Sequence, residues 1–115
     1  MPLKDVERVS GETEVMPGVQ LLPSPGHTPG HMCVRVGATL VLGDVVVHEL
    51  QVANPDLVYI SDHDSALAAA TRRRILGELA DEGTETIVSH FPGKGRFERV
   101  GNFERVGKGF RWAVE

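Results

Sequence analysis

The stretch Ser24-Pro25-Gly26-His27-Thr28-Pro29-Gly30 carries two prolines and two glycines. Proline fixes φ and has no N–H, while glycine opens backbone conformations closed to other residues. Neither a helix nor a paired strand runs through such a segment, so it is a shaped loop. It lies between two strand-like runs, Gly18-Val19-Gln20-Leu21-Leu22-Pro23 and Met32-Cys33-Val34-Arg35-Val36. The loop therefore holds His27 on a stiff support, with ordering costs met before any ligand arrives. Two more apolar runs end in the same manner. Thr39-Leu40-Val41-Leu42 leads into Gly43-Asp44, and Thr86-Ile87-Val88 leads into Ser89-His90-Phe91-Pro92-Gly93. Imidazole, carboxylate and imidazole are the donors that zinc, iron and manganese take in hydrolytic sites.

The remaining pattern surrounds these endings with a mixed sheet and one helix. Val6 to Val15 reads as two edge strands that turn at Ser10-Gly11, and Gly37-Ala38 closes a hairpin. Residues 45 to 63 are irregular, with a turn at Asn54-Pro55. From Asp64 or Ser65 to Glu82 the pattern is helical, with Asp62, Asp64 and Ser65 as N-cap candidates and Gly83 as the stop. Leu67, Ala70, Ile75, Leu79 and Ala80 are expected on its apolar face. Arg72-Arg73-Arg74 is expected on its solvated face, one of the three pairing with Asp62 or Asp64. Phe97, Val100, Phe103 and Val106 follow, with a turn at Gly101-Asn102, and Phe110 to Val114 forms a last strand. Strands, one crossover helix and further strands imply a single α/β (α+β) domain over residues 1–115, its mixed sheet covered by one main helix.

A formal net charge of -4 and six aromatic residues (four Phe, one Tyr, one Trp) speak against nucleic acid or an anionic membrane as partner. No apolar run reaches the ~18 residues of a membrane span, and Met1-Pro2-Leu3-Lys4-Asp5 lacks a signal core. The single cysteine, Cys33, falls in an apolar strand and reads as a buried thiol. A cytoplasmic location is the expectation.

Each candidate has a plainer reading. His27 could be a hydrogen-bonded loop histidine, and Asp44 a turn or cap residue. A carboxylate ending a buried strand costs several kcal/mol unless it is paired or bound to a cation. His31, at the start of its strand, is expected to support the site or pack beside it rather than to ligate. His48 is a candidate lining of the same cleft, and His63 reads as a surface residue.

With these residues assembled, the chain resembles the C-terminal half of a metallo-β-lactamase-fold hydrolase. Pro25-Gly26-His27-Thr28-Pro29-Gly30-His31 resembles the superfamily's third metal motif, Leu42-Gly43-Asp44 the fourth and Ser89-His90-Phe91-Pro92-Gly93 the fifth. The branch it is most similar to contains quorum-quenching lactonases, glyoxalase II-like enzymes and methyl parathion hydrolase-like proteins. The resemblance implies half of a four-layer αββα sandwich. It makes His27, Asp44 and His90 metal ligands, with Asp44 bridging two zinc ions and taking part in catalysis. Iron and manganese are chemically admissible. The implied reaction is attack of a metal-bound hydroxide on an ester, lactone, thioester or related bond of a small-molecule substrate.

One departure matters. The His-x-His-x-Asp-His signature that normally precedes the third motif is absent from this sequence. The chain alone is therefore expected to be inactive and to hold fewer than two metal ions, or none. Its expected partner is the missing N-terminal half or a second copy in a homodimer, which would cover the open sheet face. Two alternatives stand beside this reading. One is a non-catalytic remnant serving as a dimeric interaction module. The other is a cupin-like mononuclear site built from His27, His31 and Asp44.

Overall fold

The computed structural model describes residues 9–100 and 109–115. Its strands are β1 (Thr13–Met16), β2 (Val19–Pro23), β3 (Met32–Val36), β4 (Thr39–Val41), β5 (Glu85–Ile87), β6 (Lys94–Arg99) and β7 (Phe110–Val114). They form one sheet whose spatial order follows the chain, β1 to β7. Every neighbouring pair is antiparallel except β4 and β5. Parallel neighbours need a long crossover. Here it consists of a 3₁₀ turn at Gly43–Val45, the short helix α1 (Leu50–Ala53) and the long helix α2 (Ser65–Glu82). Among the described residues β1 and β7 are the sheet's edges and do not pair with each other, so the sheet is open rather than a cupin-like barrel.

The local reasons for α2 are clear. Asp64 has extended backbone geometry, and its carboxylate accepts the Leu67 N–H at 3.0 Å, an N-cap. Gly83 adopts the left-handed conformation, and its N–H bonds the Leu79 carbonyl, closing the helix. The buried face is Ala68, Thr71, Arg72, Ile75, Leu76 and Leu79, a run at i, i+3, i+4. Ile75 and Leu79 are buried as expected and Ala80 packs against the core, while the N-terminal half of the expected face is corrected. Leu67 is 41% exposed and Ala70 is exposed, while Arg72, expected in solvent, is 1% exposed.

Because side chains alternate along a strand, partners in register share a face. Cys33, Leu40, Thr86, Phe97 and Phe110 are buried on one face, in the core that holds Ile75, Leu76 and Leu79 of α2 and Val52 of α1. The opposite face carries the row Leu21–Val34–Val41–Ile87, in register across β2, β3, β4 and β5. Those four are only half-buried, and Val36 beyond them is 49% exposed. The apolar row lies on the face away from both helices.

Residues 45–63 are more ordered than their sequence suggests, since they contain part of the 3₁₀ turn and α1. The Asn54-Pro55 turn is present, with the Leu57 N–H bonded to the Asn54 carbonyl at 3.0 Å. The first of the two expected N-terminal edge strands, and Phe103, Val106 and the Gly101-Asn102 turn, lie outside the described residues. No helix among the described residues is long and apolar enough to cross a membrane.

Candidate metal centre

The centre lies just past the C-terminal ends of the parallel pair β4 and β5. The loop between β2 and β3 reaches it across the start of α2. Gly26 makes that approach possible. Its φ is +139°, and a Cβ built there would fall 2.3 Å from Cα of Ala68. Only glycine fits so close to the helix backbone. Three hydrogen bonds then fasten the loop. Asp64 N–H donates to the Gly26 carbonyl (2.9 Å), His63 N–H to the His27 carbonyl (3.0 Å), and the Thr71 hydroxyl to the Pro25 carbonyl (2.7 Å).

Asp44 enters from the 3₁₀ turn, and His90 from the turn after β5. Their side chains converge. Oδ2 of Asp44 lies 3.5 Å from Nε2 of His27, and Oδ1 lies 3.1 Å from Nε2 of His90. One carboxylate thus offers a different oxygen to each of two imidazoles. The group sits on an open rim, with Asp44 and His90 side chains 38% and 53% exposed and His27 20%. A separate cleft of about 480 Å³, lined by Arg35, Thr39, Glu85 and Arg96 among others, lies at the opposite ends of β4 and β5.

Sequence reasoning did not find what stands behind His27. Its Nδ1 is 2.9 Å from Oδ1 of Asp62, a carboxylate only 2% exposed, and Tyr59 stacks on its ring at 6.0 Å between centroids and 24° between planes. The sequence offers Asp62 only as a helix cap or a partner for arginine. An ionised carboxylate can only accept, so Nδ1 of His27 donates to Asp62, and in the neutral ring Nε2 then presents a lone pair. That lone pair faces the Asp44 oxygen, another acceptor. Two acceptors in that position repel unless a cation, proton or metal ion, lies between them.

His31 occupies a supporting place. Its Nε2 accepts the Asp44 backbone N–H at 2.9 Å, and its Nδ1 lies 2.7 Å from the Ser24 hydroxyl. Both ring nitrogens are thus engaged within the protein. Burial holds its pKa below the ordinary histidine value, against the opposing pull of the Asp44 charge, which keeps the ring neutral as this acceptor role requires. Ser24 also accepts from the Cys33 thiol at 3.3 Å, and burial raises the pKa of that thiol. His48 does not join the group. It is exposed, and its Nδ1 accepts the Leu50 N–H at 3.1 Å, at the start of α1. His63 is exposed as well.

The donor set can be tested against the metal the resemblance implies. Two donors ~2.1 Å from one tetrahedral ion stand ~3.4 Å apart. The His27–Asp44 separation of 3.5 Å is close to that spacing, and the 3.1 Å between His90 and Asp44 is a hydrogen-bond length. Yet among the described residues no three His, Cys, Asp or Glu side chains are grouped to hold one ion. The residues fit two partial coordination shells that share Asp44, with two protein donors in each. They do not fit one complete shell.

Comparison with known proteins bears on the fold and on the share of a relative that the chain spans. No family model matches the chain. The chain has the fold of one half of the metallo-β-lactamase superfamily. A hydrolase of the β-lactamase superfamily, AbOPH, superposes with a TM-score of 0.78 at 25% identity, over 89% of this chain and 36% of that one. AidC, a dizinc quorum-quenching lactonase in complex with a product, superposes at 0.77 with 24% identity, over 90% and 35%. The curated relatives are N-acyl homoserine lactonases. Those of a Bacillus species and of Bacillus cereus are 34% and 33% identical over 95 and 93 residues. The match takes in 78% of this chain, but the chain spans only 37% of either relative's length.

Proposed function

We propose that this chain is the C-terminal portion of a dinuclear zinc hydrolase that opens lactones or related esters, active only when a complementary N-terminal segment completes the centre. The observation that carries the reading is Asp44, whose two oxygens face two different imidazoles at 3.5 and 3.1 Å. His27 and Oδ2 of Asp44 would hold one ion, and His90 and Oδ1 the other. Zinc, when bound, supplies Lewis acidity, lowering the pKa of a water and stabilising the oxygen anion that develops on a carbonyl.

The chain's own residues hold the donors in place. Asp62 and Tyr59 orient His27, and His31 fixes the backbone at Asp44. The half-buried row Leu21–Val34–Val41–Ile87 offers the complementary segment an apolar sheet face to pack on. Burial there would also exclude water from a rim that is now open. Similarity to N-acyl homoserine lactonases supports a lactone substrate.

The test is zinc titration of the purified chain, alone and with a separately expressed segment carrying His-x-His-x-Asp-His. Alone, the chain should bind zinc weakly, and His27→Ala, Asp44→Ala and His90→Ala should each weaken it further. The added segment should tighten binding and produce hydrolysis of an N-acyl homoserine lactone that neither part shows alone. Zinc binding indifferent to all three substitutions overturns the proposal. A tight two-fold complex of the chain with itself that excludes the added segment overturns the choice of partner.

A further inference from the structure

Behind the centre lies a buried ion pair, Arg72 and Asp62, of which the proposed function uses only Asp62. Arg72 of α2 is 1% exposed, and its guanidinium reaches three separate segments. Nε donates to the Val45 carbonyl at 2.8 Å, directly after Asp44. Nη1 donates to the Pro55 carbonyl, in the segment leading to Tyr59. Nη2 lies 3.9 Å from Oδ2 of Asp62, whose other oxygen accepts from His27. Burial pulls the Arg72 pKa below its ordinary value while Asp62 and Asp56 pull it up. Arginine remains a cation in proteins, so the group is a donor on every side.

This arrangement has a directional consequence. At 3.9 Å, beyond hydrogen-bond length, the Arg72 cation acts on residue 62 through its charge, which favours an oxygen on its side. With a carboxylate there, the second oxygen also accepts, and His27 must donate from Nδ1. We propose that Asp62 is a positioning residue that sets the tautomer of His27, and that Arg72 sets the polarity with which Asp62 does so. The pair leaves Nε2 of His27 bare toward Asp44, the form in which an imidazole accepts a metal cation. The inference deepens the ligand reading of His27 and rests on it for its purpose, but its physical content is the tautomer, which exists with or without metal.

The substitution Asp62→Asn separates the roles because it keeps shape and removes one acceptor. Arg72 then claims the amide oxygen, and the NH₂ group turns toward His27. A donor at that position requires a bare Nδ1, so the proton moves to Nε2 and covers the lone pair. Nitrogen-15 NMR of the histidine rings reads this directly at neutral pH. The unsubstituted chain should show His27 protonated on Nδ1, and D62N should show it protonated on Nε2. Zinc affinity should fall roughly tenfold to a hundredfold in D62N, the usual effect of removing a carboxylate behind a metal-bound histidine.

Three results overturn the inference. One is a metal-free chain with His27 protonated on Nε2 and bare on Nδ1, which needs no variant to observe. The second is D62N that folds, by circular dichroism, and keeps the Nδ1 proton. The third is D62N that switches the proton without weakening zinc in a chain that binds it. If the chain binds no zinc but the tautomer switches as stated, the positioning role stands and the metal reading fails. A role in stability alone would lower the melting temperature and leave the ring signals unmoved.

Discussion

Replacing Gly26 by alanine should damage this protein far more than the same change four residues on, at Gly30. At Gly26 two costs combine. The backbone sits at φ +139°, where a side chain is strained by ~1–3 kcal/mol. The new Cβ would also lie 2.3 and 2.4 Å from Cα and N of Ala68, atoms of a helix backbone that cannot turn aside. The loop would have to lift by about an ångström to reach ordinary contact at ~3.5–4 Å. Lifting it stretches the Asp64–Gly26 and His63–His27 backbone hydrogen bonds, each worth about 1 kcal/mol. A loss of about 3–5 kcal/mol follows, large against the ~5–15 kcal/mol of a typical fold. At Gly30 a Cβ meets nothing within 4 Å and φ is not positive, so alanine there should be neutral or stabilising by ~0.4–1 kcal/mol through the unfolded chain. Urea unfolding of both variants, followed by circular dichroism at matched m-values, measures the contrast. Equal stabilities would show that the loop does not press on α2, and the account of how His27 is held would fall with it.

Two further substitutions probe the frame around the site. Leu76→Ala, at a position with 0% exposure, should cost ~2–5 kcal/mol, whereas Leu67→Ala, at 41% exposure, should cost less than ~1 kcal/mol; the opposite order in urea unfolding would restore the helix face first expected from the sequence. Cys33 should resist a thiol reagent such as Ellman's at pH 8 and react only as the chain unfolds, since it is 1% exposed with a raised pKa. For the same reason the unfolded thiol gives up its proton at lower pH than the folded one. The stability that Cys33 contributes should be intact below about pH 9 and decline as pH rises above it, a decline that Cys33→Ala should lack. Rapid labelling of the folded chain would contradict both statements.

The parts of the fold that were legible have a simple period or a hard constraint behind them. β3 at Met32–Val36 coincides with the expected strand, because alternation and flanking glycines bound it on both sides. The helix stands at Ser65–Glu82, because a capping aspartate and a left-handed glycine mark its ends. The meeting of His27, Asp44 and His90 was legible for a related reason. Strand ends in one sheet share an edge, and Asp44 and His90 follow the two strands that pair in parallel. Residues 45–63 were not legible. α1 is a single short turn whose few hydrogen bonds leave no period, and the pairing of Asp62 with His27 spans 35 residues.

The N-terminal half of the buried face of α2 was misjudged for a reason that bears on function. Its buried stripe contains Thr71 and Arg72 among Ala68, Ile75, Leu76 and Leu79, and the two polar residues hide the apolar period. A polar residue in a buried stripe is stable only when its donors are satisfied. Thr71 is satisfied by the Pro25 carbonyl, just before Gly26 and His27. Arg72 is satisfied by the Val45 and Pro55 carbonyls and by the charge of Asp62. Every one of these partners belongs to a segment that carries or orients a residue of the proposed metal centre. The interruption in the stripe is therefore where the helix stops serving the core and starts holding the site. An apolar pair at the two positions would read better as a helix, and it would leave those loop carbonyls without their donors and Asp62 without the neighbouring cation.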